Sequence, residues 1–177
     1  MNVTFTGDIS FSGCFTQKVN SNSEIFDDKI LAEFISSDFV VCNLEGPTTN
    51  ATTFYNNNTP LKSPINSIKY LAERNISVFN LSNNHILDYG EVGLKDTLQE
   101  IKNEKCNYFG AELSKEKAKK PLIISKNNIS IALFGICKCN PSRLENAQLF
   151  SSDEFLTLKK QINIYKNKVD FIVVNFH

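Results

Sequence analysis

The stretch Ile76-Ser-Val-Phe-Asn-Leu-Ser-Asn-Asn-His85-Ile-Leu-Asp88-Tyr-Gly90 sets an apolar run of strand length, Ile76 to Leu81, directly against a polar cluster, Ser82 to His85. A short apolar run of this kind reads as a buried strand. A helical pattern follows over Glu91 to Glu104, with Leu94, Leu98 and Ile101 on its inner side. Strand, polar turn and helix make the repeating unit of a parallel-type α/β fold, whose ligands bind beyond the carboxyl ends of the strands.

The same unit recurs on both sides. Val3-Thr4-Phe5 is a strand followed by Gly7-Asp8, and Asp27 to Ser36 is a helix with Ile30, Leu31, Phe34 and Ile35 on one face. Phe39 to Cys42 is a second strand, followed by Asn43-Leu44-Glu45. Pro47, the threonines and Asn56-Asn57-Asn58 mark Gly46 to Thr59 as a long surface loop. Ser63-Pro64 reads as a helix start, with Ile65, Ile68, Leu71 and Ala72 as the buried stripe and an end near Asn75. Tyr108-Phe109 is a fourth strand, and the Lys115 to Lys120 cluster a solvated helix face. Leu122 to Ser125 and Ile129 to Phe134 flank Asn127-Asn128, a pair suited to a hairpin turn, so a mixed sheet is expected. A helix over Asp153 to Asn167, burying Phe155, Leu158, Ile162 and Tyr165, precedes a last strand, Val169 to Asn175, that delivers His177.

With 177 residues, 41% of them hydrophobic, the chain suffices for one packed domain, residues 1–177. Lysine plus arginine number 19 and aspartate plus glutamate 19, so no global field favours nucleic acid or an anionic membrane. The five cysteines form no CxxC pair and read as reduced thiols; Cys137-Lys138-Cys139, with only two histidines in the chain, lacks the ligands of a closed zinc site. No basic-then-apolar leader opens the chain, and no run approaches the roughly 18 apolar residues of a membrane helix. The expectation is a soluble chain, cytoplasmic as it stands and without membrane insertion.

Four strand ends carry residues that can hold a metal: Asp8, Glu45, Asn84 with His85, and His177. Singly, Asp8 reads equally as a turn cap, Glu45 as a solvated carboxylate, Asn84 as part of an Asx turn and His177 as a frayed end. Their joint placement after successive strands carries the metal reading. Two carboxylates, an amide oxygen and two imidazoles suit manganese, iron(II) or zinc better than a thiolate-seeking metal.

The sequence resembles the CapA family of poly-gamma-glutamate capsule synthesis proteins, within the calcineurin-like metallophosphoesterase superfamily. The residues that carry the likeness are Phe5-Thr6-Gly7-Asp8, Asn43-Leu44-Glu45-Gly46-Pro47, Leu81-Ser82-Asn83-Asn84-His85 with Asp88-Tyr89-Gly90, Phe109-Gly110-Ala111 with Ala118 and Pro121, Leu133-Phe134-Gly135 and Val173-Val174-Asn175-Phe176-His177. The resemblance implies an α/β/β/α metallophosphatase-like sandwich in which Asp8, Glu45, Asn84 and His177 are metal ligands, Glu45 at the bridging position, and His85 is the catalytic histidine. It implies a capsule-biosynthesis protein with a metal-dependent hydrolase site of phosphoesterase type, taking a phosphoester or an anionic polymer. The alternatives are a non-catalytic polymer-binding or assembly component, often envelope-associated in this family, and an inactive fragment. The superfamily's general first motif has a histidine two places after the aspartate, where this chain has Ser10, as is usual in the capsule branch. The superfamily pattern also continues past the position of His177 with a His-x-His motif. The likeness therefore covers an amino-terminal part, with the domain expected to be incomplete after His177, at most one divalent ion held by this chain and two in a full-length protein.

Overall fold

The computed structural model describes residues 1–54, 59–138, 155–177 and the backbone of 148–149. Four strands, β1 (Val3–Ile9), β2 (Phe39–Leu44), β3 (Ile76–Asn80) and β4 (Asn107–Phe109), lie in that order as one parallel sheet. β5 (Ala111–Glu112) pairs with β8 (Gln148–Leu149) as a short antiparallel ribbon. The hairpin of β6 (Leu122–Lys126) and β7 (Ile129–Ile136), with β9 (Phe171–Phe176) parallel to β7, forms another sheet. The hairpin turns at Asn127 and Asn128, both at positive φ, as a two-residue turn requires. The mixed sheet expected from the strand pattern is therefore divided into two main sheets, as in the α/β/β/α sandwich that the resemblance implies, and the short ribbon. Alternation reveals strands, but whether consecutive strands share a sheet depends on the connection, and after β4 the chain leaves the first sheet at Gly110, whose φ is +93°.

Three apolar clusters define the layers. Helices α1 (Cys14–Asn20), α2 (Asp28–Ser36), α3 (Ser67–Ala72) and α4 (Gly90–Asn103) cover the outer face of the parallel sheet, burying Val19, Phe34, Ile68, Leu71, Leu94 and Ile101 against Val40, Cys42, Leu44 and Phe79. Val41, Val78 and Phe109 of the first sheet meet Ile124, Ile131 and Leu133 of the second between the sheets. Ala132, Phe134 and Ile136 of β7 pack on Leu158 of helix α6 (Phe155–Tyr165). The short helix α5 (Lys115–Ala118) buries Ala118 and exposes its lysines, as the charge cluster predicts. Helix, sheet, sheet, helix is the layer order, and each fully buried Leu, Ile or Phe stabilises it by about 1.5–3 kcal/mol. Among the described residues no helix is long and apolar enough to cross a membrane.

Along each central strand the side chains facing the other sheet change from apolar to polar toward one end. On β2 they run Val41 then Asn43, on β3 Val78 then Asn80, and on β9 Val173, Asn175 then His177, while on β7 Ile131 and Leu133 are followed by Gly135, which brings no side chain. At the polar end the sheets come closest. A Cβ on Gly135 would stand 2.2 Å from Asn80 Oδ1 and 3.0 Å from Ser82 Cβ, and one on Gly110 would stand 2.7 Å from Ser82 Cβ.

Several local expectations change. Asp27 caps α2 by accepting from the amides of Lys29 and Ile30, but the helix buries a narrower stripe: Ile30 is partly in solvent and Ile35 is 71% exposed. The helix after Ser63 begins at Ser67. Ser63 is instead held by the preceding loop, with its N–H donating to Pro47 O and its Oγ accepting from Phe11 N, 2.9 Å each. That loop is not all surface, because Thr48 and Thr49 are buried, Thr48 N donating to Thr97 Oγ1 and the Thr49 hydroxyl to Asp96; residues 55–58 lie outside the described residues. Phe155, expected in the core, is 61% exposed, while Leu158 is buried and Ile162 and Tyr165 pack beside it; the expected start at Asp153 lies outside the described residues. Helix α1 has too weak a pattern to be expected from sequence. Cys42, Cys137, Cys106 and Cys14 are free thiols, and Cys139 lies outside the described residues.

Two predictions follow from the packing. Gly135→Ala should destabilise the chain by about 1–3 kcal/mol, the usual cost of overpacking, seen as a lower urea midpoint at unchanged slope. Arg74, bonded to Glu24 through Nε at 3.1 Å, holds the Glu24 carboxyl down at about 2, its ordinary value being 4.5. A lowered carboxyl stabilises the fold above its unfolded value and loses that contribution as pH falls toward the folded one. The stability gap between wild type and Arg74→Met should therefore close between pH 4.5 and about 2; urea midpoints at stepped pH check it.

Candidate metal centre

Asp8 reaches the polar mouth through a bulge. Phe5 pairs with Val41 and Asp8 with Asn43, so Thr6 and Gly7 oppose the single residue Cys42. Successive strand residues point to opposite faces, and the extra residue returns Asp8 to the side of Phe5. Glu45 follows β2 and donates its N–H to Ile9 O at 2.9 Å. His177 is not frayed: its N–H donates to Ile136 O and its carbonyl accepts from Lys138 N, at 3.0 and 2.8 Å. One ligand atom from each of Asp8, Glu45 and His177 lies within 4.8 Å of the other two. Two strands of one sheet and one of the other thus supply two carboxylates and an imidazole to one point.

Asn43 stands among them. Its Nδ2 donates to Asp8 Oδ1 at 2.8 Å and Glu45 Oε2 at 2.7 Å, and lies 3.4 Å from His177 Nδ1. His177 Nε2 is 2.8 Å from Asn84 Oδ1, an oxygen that can only accept, so Nε2 carries the hydrogen and the Nδ1 lone pair faces the cluster. Three lone-pair groups therefore converge on one amide with two hydrogens. That donor set of oxygens and nitrogen fits a divalent cation of the manganese, iron(II) or zinc kind. Burial holds the Glu45 carboxyl above its ordinary range, against the pull of His177, with Asp8 adding to the rise and the Asn43 bond and His85 opposing it.

His85 lies on the turn after β3. It donates from Nδ1 to Asp88 Oδ2 at 2.7 Å, leaving Nε2 3.9 Å from Glu45 Oε1. Asp88 is buried and also accepts from Leu61 N at 2.8 Å, which ties the long loop to the histidine. The turn itself is shaped by Asn83, wholly buried, whose Oδ1 accepts from the amides of Gly46 and His85 and whose Nδ2 donates to Leu44 O at 2.7 Å.

The family model described as bacterial capsule synthesis protein PGA_cap matches residues 2–177. The chain belongs to the bacterial capsule synthesis protein family. It is 32% identical over 140 residues to the PGA biosynthesis protein CapA of Bacillus subtilis strain 168, covering 76% of this chain and 37% of that protein. To the capsule biosynthesis protein CapA of Bacillus anthracis it is 24% identical over its whole length, which is 46% of that protein. Among solved structures it matches in full a Staphylococcus aureus protein described as a 5′-nucleotidase and solved with alpha-ketoglutarate, with TM-score 0.60, 16% identity and 37% of that chain covered. It also matches in full a phosphatase from Mycoplasma pneumoniae, with TM-score 0.57, 18% identity and 55% of that chain covered. These likenesses show that the chain shares the α/β/β/α fold of those structures. The chain spans less than half the length of either curated relative.

All five residues singled out in the sequence meet at this rim. Asp8, Glu45 and His177 form the cluster; Asn84 touches it through His177, and His85 faces it across Glu45. The four strand ends come from two sheets rather than one. Asn43, Asn83 and Asp88 belong to the quoted motifs but were given no role there, although Val41-x-Asn43-x-Glu45 alternation and the three-residue step from His85 to Asp88 were both visible.

Removing the Asp88 side chain should release His85 Nδ1 and Leu61 N together. In Asp88→Ala the ring-nitrogen chemical shifts of His85 should lose the preference for the Nδ1–H tautomer, with a stability loss of about 1–3 kcal/mol for the buried groups left unpaired. Unchanged shifts would show that another group orients the ring.

Proposed function

We propose that this capsule-family chain carries a metal-dependent hydrolase site of the phosphoesterase type that serves assembly of an anionic capsule polymer such as poly-gamma-glutamate. The observation that supports it is the meeting of Asp8, Glu45 and His177 within 4.8 Å, with His85 Nε2 facing the same carboxylate. In this reading Asp8, Glu45 and His177 hold one divalent ion, manganese, iron(II) or zinc, and Asn84 fixes the ring of His177 through Nε2. When bound, such an ion activates water and offsets charge on phosphoryl oxygens.

The protein's own part is placement and proton transfer. Asp88 holds His85 through Nδ1, and the opposite nitrogen, once protonated, can pass its proton to a departing alkoxide or phenolate oxygen, with the Asp88 carboxylate stabilising the imidazolium meanwhile. Glu45, its carboxyl raised by burial, is the cluster member that faces that ring, its Oε1 3.9 Å from His85 Nε2.

Hydrolysis of an aryl phosphate ester should require added manganese and fall by about 100-fold or more in His85→Ala, the usual share of a general acid. Elemental analysis should find no more than one tightly held divalent ion per chain. Activity unchanged in His85→Ala would remove the histidine from the chemistry. Absence of any hydrolysis, together with polyglutamate binding that weakens steeply with salt, would favour a polymer-binding component instead.

A further inference from the structure

We infer that Asn43 is a positioning residue of the cluster, an amide locked in one orientation that holds Asp8 and Glu45 together and whose neutrality limits how tightly they take a divalent cation. The inference rests on the metal reading above. It concerns a residue that ligates nothing.

The orientation is fixed from outside. The backbone N–H groups of Gly46 and His85 donate to Asn83 Oδ1 at 3.3 and 3.2 Å, so the other end of the Asn83 amide is nitrogen, and it donates to Leu44 O and, at 3.3 Å, to Asn43 Oδ1. Separately, Ser82 N donates to Asn80 Oδ1 at 3.2 Å, and Asn80 Nδ2 donates to Asn43 Oδ1 at 3.0 Å. A backbone N–H can only donate. Two chains of hydrogen bonds that begin at peptide groups therefore end on the same oxygen of Asn43, and turning the amide over would set donor against donor twice.

The nitrogen is thus committed to the cluster, where it donates to Asp8 Oδ1 and Glu45 Oε2. It offsets the repulsion of two carboxylates brought together by the strands and so keeps them within reach of one cation. An aspartate at this position keeps the oxygen that Asn80 and Asn83 bond and replaces the nitrogen with a third negative oxygen. Cation affinity rises with the number of charged ligands in such a site.

The test uses the 177-residue chain, Mn2+ alone as the probe, calorimetric titration, and melting with Mn2+ or with chelator. Asn43→Asp should melt lower than wild type in chelator, bind Mn2+ about tenfold or more tightly, and recover much of the lost melting temperature when Mn2+ is added. Asn43→Ala, which removes the donors without adding charge, should melt lower and bind Mn2+ more weakly than wild type. A merely structural role would weaken both variants in the same direction. If wild type binds Mn2+ and Asn43→Asp binds it no more tightly, this inference fails while the metal reading stands; if wild type binds none, both fail. Should Asn43→Asp be unfolded in chelator, folding on addition of Mn2+ supports the inference, and failure to fold with Mn2+ overturns it.

Discussion

The close approach of the two sheets where Gly135 of β7 passes Asn80 and Ser82 governs the rest of this molecule. Face-to-face sheets ordinarily stand about 10 Å apart, held off by the side chains between them. Here Val41, Val78, Phe109, Ile131 and Leu133 fill the space between the sheets at the apolar end, and at the other end Gly135 brings no side chain to that space. His177, carried by β9 of the second sheet, can then meet Asp8 and Glu45 of the first. A side chain at Gly135 would press on Asn80 and Ser82 of the facing sheet and oppose the approach that brings the imidazole to the carboxylates.

Between the dry core and the charged mouth lies a layer of asparagines, Asn43, Asn80 and Asn83. Amides are suited to that position because they carry no charge into a buried place yet both donate and accept. They pass the direction of the peptide hydrogen bonds outward to Asp8 and Glu45, so that the orientation of the carboxylates follows from the backbone and not from chance. A second line runs from the long loop through Leu61 N to Asp88 and on to His85. The buried stem of that loop, anchored by Thr48 and Thr49 on α4, makes the placement of the histidine a property of the loop as well as of β3.

Much of this was legible in the residues. The runs Phe39 to Cys42, Ile76 to Leu81 and Ile129 to Phe134 are apolar enough to mark buried strands, and Asn127-Asn128 marks the hairpin between β6 and β7. The site residues were legible because the polar groups come immediately after such runs. What was not legible depends on contacts made elsewhere in the chain. Ile35 and Phe155 are apolar yet exposed, since helical periodicity gives a face but not what lies opposite it. Ser63 has the type of a helix cap but is bonded by Phe11, fifty-two residues away. The strand pattern alone did not show the division into two sheets, which the family resemblance implied, because it rests on how the chain turns at Gly110 and not on the strands themselves.

The bulge on β1 has a meaning beyond the direction of Asp8. In the described four-stranded sheet β1 is an outer strand, with Phe5 partly in solvent. A straight apolar border of this kind is a template on which a foreign strand can add by edge-to-edge association. The extra residue at Thr6-Gly7 breaks the regular row of peptide groups midway along that border and increases the local twist. One insertion thus turns Asp8 toward the cluster on its inner side and interrupts the peptide edge on its outer side, and it makes the length of β1, more than the identity of its residues, the quantity that the fold has to keep.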